Sequence, residues 1–527
     1  MTAPARALRR LARAVVEERW CRSAVWGSVL ALGSPPFDAY PALWLGMGLL
    51  ACELASAPRV PLFASRARVA LVGARRGLAF GVGANLVALR FIPGVVVRFT
   101  PLPYAVGLVG LALLAAFEAT RWMLAAVACE TLARARVPRP AAFAAGVYAG
   151  TFVPTMIPWT VAGGVSPWPS MVQLADVVGE RGVAALMALA AGLAAEAAGT
   201  LRRGGDVRRG LAGAGAVAGL LVAQGTYGVA RMRQVEAARS VAPRARVALV
   251  QPSVDASTRW EDARAPWILE RLTGLTRTAE ARGTDLVVWP EGAYPYRLPH
   301  GTHREIDRTR AIVSHGTRGP VLTGLLMMGA SEGADTNAAV LAMPDGSLSD
   351  PYDKRHLLWF GETVPLADRA PWLRHVFARG LGLVPGTRSE TLDVGDLRAG
   401  VLICYEDTLP EAGREAIEAR PNLLVNLTND AWFSGSSESE LHLRLAAMRA
   451  VELRRDLVRA VNEGPVSWVD AAGRVRARGS GDFAGVLPTE PALLAGEVTL
   501  YGRFGDAPWA LALLFLANVA VWRAAGK

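Results

Sequence analysis

At 527 residues, 52% of them hydrophobic and only 20% charged, the chain is too apolar for an average soluble protein. Its net charge of +11 does not call for a nucleic-acid partner, because much of the excess is arginine placed between apolar segments, where anionic lipid head groups are a sufficient explanation. The four cysteines, Cys21, Cys52, Cys129 and Cys404, are too few and too scattered for a disulfide framework or a metal site, and no cofactor motif accompanies them.

In chain order, apolar segments at 24–34, 40–56, 77–97, 103–130, 141–160, 182–199, 209–229 and 507–524 read as about eight transmembrane helices. The first follows an arginine-rich start, as a signal peptide would. It runs into the turn "SPPFDAYP" and a second apolar segment rather than a small-residue cleavage site, which favours a membrane hairpin. Arginines alternate: Arg6, Arg9, Arg10, Arg13, Arg19 and Arg22 precede the first segment, and Arg59, Arg66, Arg68, Arg75 and Arg76 follow the second. Arg134, Arg136 and Arg139 follow the fourth, and Arg202, Arg203, Arg208 and Arg209 the sixth. Positive loops stay in the cytoplasm. The expected organisation is therefore a membrane domain at 1–235 with seven helices, an outer domain at 240–505 and a closing transmembrane helix at 506–527. Both termini are then cytoplasmic.

Residues 240–505 alternate short apolar runs with helical patterns, which predicts an α/β layer fold. Strands are expected at 246–251, 285–290, 320–326, 337–344, 399–404, 422–428, 456–462 and 466–470, and helices at 261–282, 302–315, 409–419 and 438–455. "VVWPEGAYP" ends a strand on Glu291, "LICYED" ends one on Cys404, and "YDKRHLLWFGETVP" supplies Lys354 and Glu362 from a loop. Taken singly, each has an ordinary explanation: a core cysteine, a helix-start carboxylate, a solvated lysine, an exposed acid. Together, a thiol, a carboxylate and an ammonium are a complete set for acyl transfer through a covalent intermediate.

"WPEGAYP", "YDKRHLLWFGE" and "LICYED", in that order, resemble the Glu-Lys-Cys signature of the nitrilase superfamily, an αββα sandwich of carbon-nitrogen hydrolases and relatives. With the apolar segments, the whole chain resembles that superfamily's membrane-bound apolipoprotein N-acyltransferase family. "SPPFDAYPALW", "MVQLADVVGERG", "NLTNDAWF", "MRAVELRRDLVRAVNEG" and "TLYGRFGD" match the family pattern at corresponding places. The resemblance implies a multi-span α-helical membrane protein carrying a nitrilase-like sandwich in the periplasm, set in a bacterial inner membrane. It implies Cys404 as nucleophile, Glu291 as general base and Lys354 as oxyanion stabiliser, supported by Glu362, Tyr405 and Glu406. It also implies a phospholipid acyl donor and a diacylglyceryl-modified apolipoprotein acceptor, and Trp260 is a weaker match to a functional tryptophan.

Trp359, Ser434 and Glu463 depart from the family pattern, and "AGTFVPTMIPW" lacks the glutamate that often stands before its final Pro-Trp. The segment 356–386 carries Trp359, Trp372 and several further large apolar residues with Arg369, Arg374 and Arg379. It reads either as packing on the core or as a mobile lid binding substrate at the outer leaflet. Two other functions compete. A membrane-anchored nitrilase-like amidase would use the same three residues. A transporter or receptor would leave them without a joint purpose, and its expected intramembrane charges are few: Arg90, Glu118 and Arg121.

Overall fold

The computed structural model describes residues 19–525 except 57–65, 101, 256–257, 306, 314–315, 330, 332, 365–368, 370–371, 373–381, 480 and 482. They fall into two compact units, one within Met1–Val229 and Phe504–Lys527, the other Ala230–Arg503.

The first unit is helical, and it corrects the expected eight spans. Among the described residues, three helices are long and apolar enough to cross a membrane: Tyr104–Arg134, Ala175–Arg202 and Val207–Val241. The pair Leu71–Ala88 and Ile92–Arg98, bent by 54°, makes a fourth if it is one broken span. The remaining apolar segments form shorter elements. Pro41–Ala55 has 15 residues, about 22 Å at 1.5 Å per residue against a hydrocarbon core of about 30 Å. Among the described residues, Arg19–Ala31 has 13 residues, and Ala507–Val519 is likewise one of the shorter apolar helices. The segment expected at 141–160 is helical only through Arg139–Gly150. Pro154 and Pro158 then interrupt it, because proline supplies no backbone donor. A hydropathy window registers apolar content and passes over such breaks.

Small residues bring these helices together. A Cβ on Gly27 would lie 1.8 Å from the Phe80 carbonyl oxygen, and one on Gly83 would lie 1.9 Å from that of Ala24, so Arg19–Ala31 and Arg66–Ala88 touch backbone to backbone. The three charges expected within the apolar segments, Arg90, Glu118 and Arg121, all have partners. Arg121 pairs with Glu118 on the same turn at 2.8 Å, and Arg90 lies 5.0 Å over the Phe37 ring. Glu118 also accepts from the Met156 and Ile157 amides at 2.6 and 3.2 Å. The stretch before Pro158-Trp159, which has no glutamate of its own, is thus held by one from another helix.

The second unit is a two-sheet sandwich. One sheet runs β13-β1-β2-β4-β5-β6 with β3 beside β4, the other β12-β11-β10-β9-β8-β7. In chain order the strands are β1 Val247–Gln251, β2 Leu286–Val288, β3 Leu298–Pro299, β4 Val321–Met328, β5 Thr336–Ala342, β6 Tyr352–Asp353, β7 Thr391–Val394, β8 Leu397–Ile403, β9 Leu423–Thr428, β10 Leu457–Val461, β11 Ser467–Val469, β12 Val475–Arg478 and β13 Gly485–Thr489. Strand alternation sorts the apolar residues into layers. Val247, Leu249 and Val288 of one sheet meet Val401, Ile403, Val425 and Val458 of the other in the central core. Their neighbours Ala248, Val250 and Val287 face outward and pack with Ile268, Leu269 and Leu272 of the helix Ala265–Glu280. Leu424 and Leu457 do the same against Ala446, Ala450 and Leu453 of the helix Glu438–Leu453. Helix, sheet, sheet and helix follow in that order.

The expected helix at 302–315 is absent among its described residues, which hold only the short 3₁₀ turn Arg308–Arg310. Glu305 binds the Ile312 and Val313 amides at 2.5 and 3.2 Å, closing the segment as a loop.

Candidate active site

Three polar side chains reach one place from three strand ends. Glu291 follows β2 in the run Trp289-Pro290-Glu291, pinned by Trp289, whose Nε1 donates to Thr276 Oγ1 at 2.8 Å. Beneath it lies Gly324 of β4, where a Cβ would stand 2.7 Å from the Glu291 Cα, so only glycine lets the strand pass. Lys354 follows β6, its amide donating to the Asn337 carbonyl and its carbonyl accepting from the Gly386 amide, both at 2.8 Å. Cys404 directly follows β8 with φ +51°, the left-handed region that side chains rarely adopt. The turn that follows, Cys404–Thr408, begins on the thiol itself.

The geometry joins Glu291, Lys354 and Glu362 into one ion cluster. Lys354 Nζ stands 3.3 Å from Glu291 Oε1 and 2.8 Å from Glu362 Oε2, with the lysine side chain 1% exposed. Asn337 Nδ2 bridges the same carboxylates, donating to Glu291 Oε1 at 2.8 Å and Glu362 Oε1 at 2.7 Å. The Leu358 amide donates to the other Glu362 oxygen at 2.9 Å. The Cys404 thiol faces Glu291 and Thr428, and hydrogen bonding with the sulfur favours the charged form of Glu291 as Thr428 favours that of the thiol.

Burial sets the electrostatics. It pushes the Cys404 thiol well up, and the Glu291 and Asp430 charges add to this while Lys354 opposes it. The resting sulfur is therefore a thiol rather than a thiolate. Burial also raises Glu291, with Lys354 opposing and Glu362 reinforcing the rise. A carboxylate above its ordinary range is the better proton acceptor. Burial alone would lower Lys354, but Glu362, Glu291 and Cys404 hold it well above its usual value, so the ammonium keeps its proton.

Glu406 and Asp407, next to the thiol, are both fully buried. Glu406 accepts from the amides of Arg355 and His356 at 2.7 and 3.1 Å, from Tyr352 Oη at 2.9 Å and from the Ile403 amide at 2.7 Å. It ties the lysine-bearing loop to the cysteine-bearing strand. Asp407 binds His442 Nε2 at 2.7 Å and Arg459 Nε at 2.9 Å. Tyr405 lies half-buried beside Cys404.

The tryptophans are less settled into the site. Trp359 and Trp372 are 45% and 63% exposed. Trp260 closes the 3₁₀ turn Thr258–Trp260, and its side chain lies outside the described part. Of the expected lid, Leu373, Arg374, Phe377, Arg379 and Leu381 also lie outside the described residues, while Leu383 packs into the unit.

Asn337, Asn426, Asp430, Glu438, His442 and Arg459 were not expected in the site. Asn426 Nδ2 donates to the Leu402 and Cys404 carbonyls, both at 3.2 Å, fixing the cysteine turn. A signal was present: Asn337, Asn426 and Arg459 interrupt otherwise apolar strands, and a polar residue in a buried strand needs a partner. Asp430, Glu438 and His442 approach closely enough to hold a metal ion. Both His442 ring nitrogens, however, are engaged by carboxylates, at 3.1 Å to Asp430 and 2.7 Å to Asp407, which is the setting of an imidazolium rather than a ligand.

The profile of the carbon-nitrogen hydrolase family matches residues 246–480, and that of the apolipoprotein N-acyltransferase N-terminal domain matches residues 26–193. The chain is 30% identical to an apolipoprotein N-acyltransferase of Geobacter metallireducens, over 94% of this chain and 93% of that one. Its identity to the protein of the same name from Caulobacter vibrioides is 32%, over 94% and 92%. The corresponding protein of Brucella melitensis is 31% identical over 88% and 87%.

Proposed function

Because the chain belongs to the apolipoprotein N-acyltransferase family, we propose that it moves an acyl chain from a phospholipid, through a thioester on Cys404, to the α-amine of an N-terminal diacylglyceryl-cysteine. The observation that carries this reading is the buried Glu291–Lys354–Glu362 cluster against a thiol held on a left-handed turn. Glu291 takes the Cys404 proton as sulfur attacks the ester carbonyl, and Lys354 stabilises the oxyanion that forms. Collapse breaks the ester C–O bond, and Glu291 returns the proton to the departing lysophospholipid oxygen. The acceptor amine then attacks the thioester, Glu291 takes its proton, and the amide forms as the thiolate leaves and is reprotonated. Glu362 keeps Lys354 paired while Glu291 is neutral.

A membrane-bound amidase would run the same first half. The N-terminal match at residues 26–193 favours the transferase, since a lipid donor and lipid-anchored acceptor both meet the enzyme at a bilayer. The arginine-rich turn Arg202–Arg209 supports a cytoplasmic end for the helix Val207–Val241, and with it a catalytic unit in the periplasm of a bacterial inner membrane. A reporter fused near residue 300 then reads periplasmic, and a cytoplasmic readout overturns that placement. The chemical test gives the purified enzyme phospholipid vesicles and a diacylglyceryl-cysteine peptide. N-acylated peptide should exceed free fatty acid, whereas fatty acid as the main product makes the protein a hydrolase.

A further inference from the structure

A second group of charges surrounds the cysteine turn and has no part in the steps above. Arg459 on β10 donates from Nε to Asp407 Oδ2 at 2.9 Å. Asp407 Oδ1 meets His442 Nε2 at 2.7 Å, and His442 Nδ1 meets Asp430 Oδ1 at 3.1 Å. Asp430, Glu438 and His442 each place a polar atom within 4.8 Å of the other two. His442 Nε2 also lies 3.3 Å from the Cys404 carbonyl oxygen, which Asn426 holds as well. Arg459, Asp407, His442 and Asp430 are all buried. Such a chain is a costly way to stabilise a core, because each buried charge loses its hydration.

The order of charge is regular. A guanidinium, a carboxylate, an imidazolium and a second carboxylate alternate and cancel, provided Glu438 at the far end is neutral. We propose that this Arg459–Asp407–His442–Asp430–Glu438 chain positions the nucleophile and sets its ionisation: His442 grips the Cys404 carbonyl and offsets the Asp430 charge that faces the thiol. The inference rests on Cys404 being the nucleophile and adds positioning residues to that reading.

Two further observations support it. Although burial alone would lower His442, Asp407 and Asp430 hold its imidazole well above its usual range while Arg459 opposes them, so the cation persists at neutral pH. Burial and the neighbouring Asp430 raise Glu438 to about 8, with Asp407 adding to the rise and His442 and Arg459 opposing. Glu438 Oε2 and Asp430 Oδ2 are both sealed from solvent without a hydrogen-bond partner among the described residues, which suits one proton held between two carboxyl groups. The groups acting on the thiol itself are Glu291, Lys354 and Asp430. Loss of the Glu438 proton above about pH 8 would leave one uncompensated negative charge on the chain, and the thiol would resist ionisation further.

The test follows iodoacetamide alkylation of the Cys404 peptide by mass spectrometry, with the full chain in detergent, from about pH 6 to pH 10. Glu438→Gln keeps the neutral form's size and charge, so it should match the parent below about pH 7 and react at least about threefold faster above about pH 9. His442→Gln should slow alkylation at about pH 8 by about tenfold or more, and adding Asp430→Asn should restore it to within about threefold of the parent. Coincident profiles for Glu438→Gln and the parent overturn the proposal even if the His442 variant fails to fold, and so does a double variant as slow as His442→Gln. A Cys404 acyl-enzyme seen alongside such profiles removes the charge chain and leaves the nucleophile. Absence of any acyl-enzyme removes the nucleophile itself.

Discussion

Glu291 and Glu362 share one cation and one amide: Lys354 Nζ lies 3.3 Å from the first and 2.8 Å from the second, and Asn337 Nδ2 donates to both. The two acids therefore have different freedoms. With Glu362 holding the lysine more closely, Glu291 can accept a proton without leaving the ammonium buried and unpaired, which would be costly.

Glu362→Gln removes that second anion, so Lys354 must lean on Glu291 and the base becomes harder to protonate. Acyl-enzyme formation should slow by about a hundredfold, the scale of lost acid-base help, with the fold retained by circular dichroism. Asn337→Ala should cost about tenfold through the loss of two charge-assisted hydrogen bonds. Rates within about threefold of the parent for both variants would show that the shared cation has no bearing on the base.

Glu406 makes a different kind of contribution. It accepts four hydrogen bonds, three of them from backbone amides on the lysine loop and the cysteine strand. Glutamine has one acceptor oxygen and would turn an NH₂ group toward two of those donors. Glu406→Gln should therefore destabilise the catalytic unit by about 2–4 kcal/mol, measured by denaturant unfolding in detergent, together with loss of acylation. An unchanged midpoint would mean that Glu406 does not join the loop to the strand.

Trp372 is 63% exposed and Trp359 45%, and large exposed aromatics in a membrane enzyme suit the lipid interface. Trp372→Glu should leave the unfolding midpoint within about 0.5 kcal/mol of the parent, as surface changes do. It should lower transfer from vesicle phospholipid at least about tenfold more than cleavage of a short-chain soluble ester. Equal losses on the two substrates would remove Trp372 from substrate capture.

The layered fold of the catalytic unit was legible because its strands are buried on both faces and so read as short continuous apolar runs. Val401 and Ile403 enter the inter-sheet core while Leu402 between them packs outward with Ala412 and Ala416. Short strands such as β6 and β7, with mixed burial, carry no such run and escaped notice. The membrane unit was legible as apolar but not as helices of a given length, since the 15-residue helix Pro41–Ala55 and the 28-residue helix Ala175–Arg202 are equally rich in Leu, Ala and Gly. Around the site, Glu291 and Cys404 stood out at strand ends, and Lys354 and Glu362 in the loop motif between them. Asp430, Glu438 and His442 did not, because their association depends on β9 and the helix Glu438–Leu453 meeting in space.

The central claim is that Cys404 carries the acyl group, and the most direct measurement is mass spectrometry of the Cys404 peptide after the enzyme meets mixed phospholipids without an acceptor. A hydroxylamine-sensitive mass increase equal to one phospholipid acyl chain, located on Cys404 and absent from Cys404→Ala and Lys354→Ala, is the predicted result. An unmodified Cys404 in an enzyme that still transfers acyl chains to peptide, or a Cys404→Ala variant that keeps its activity, would contradict it.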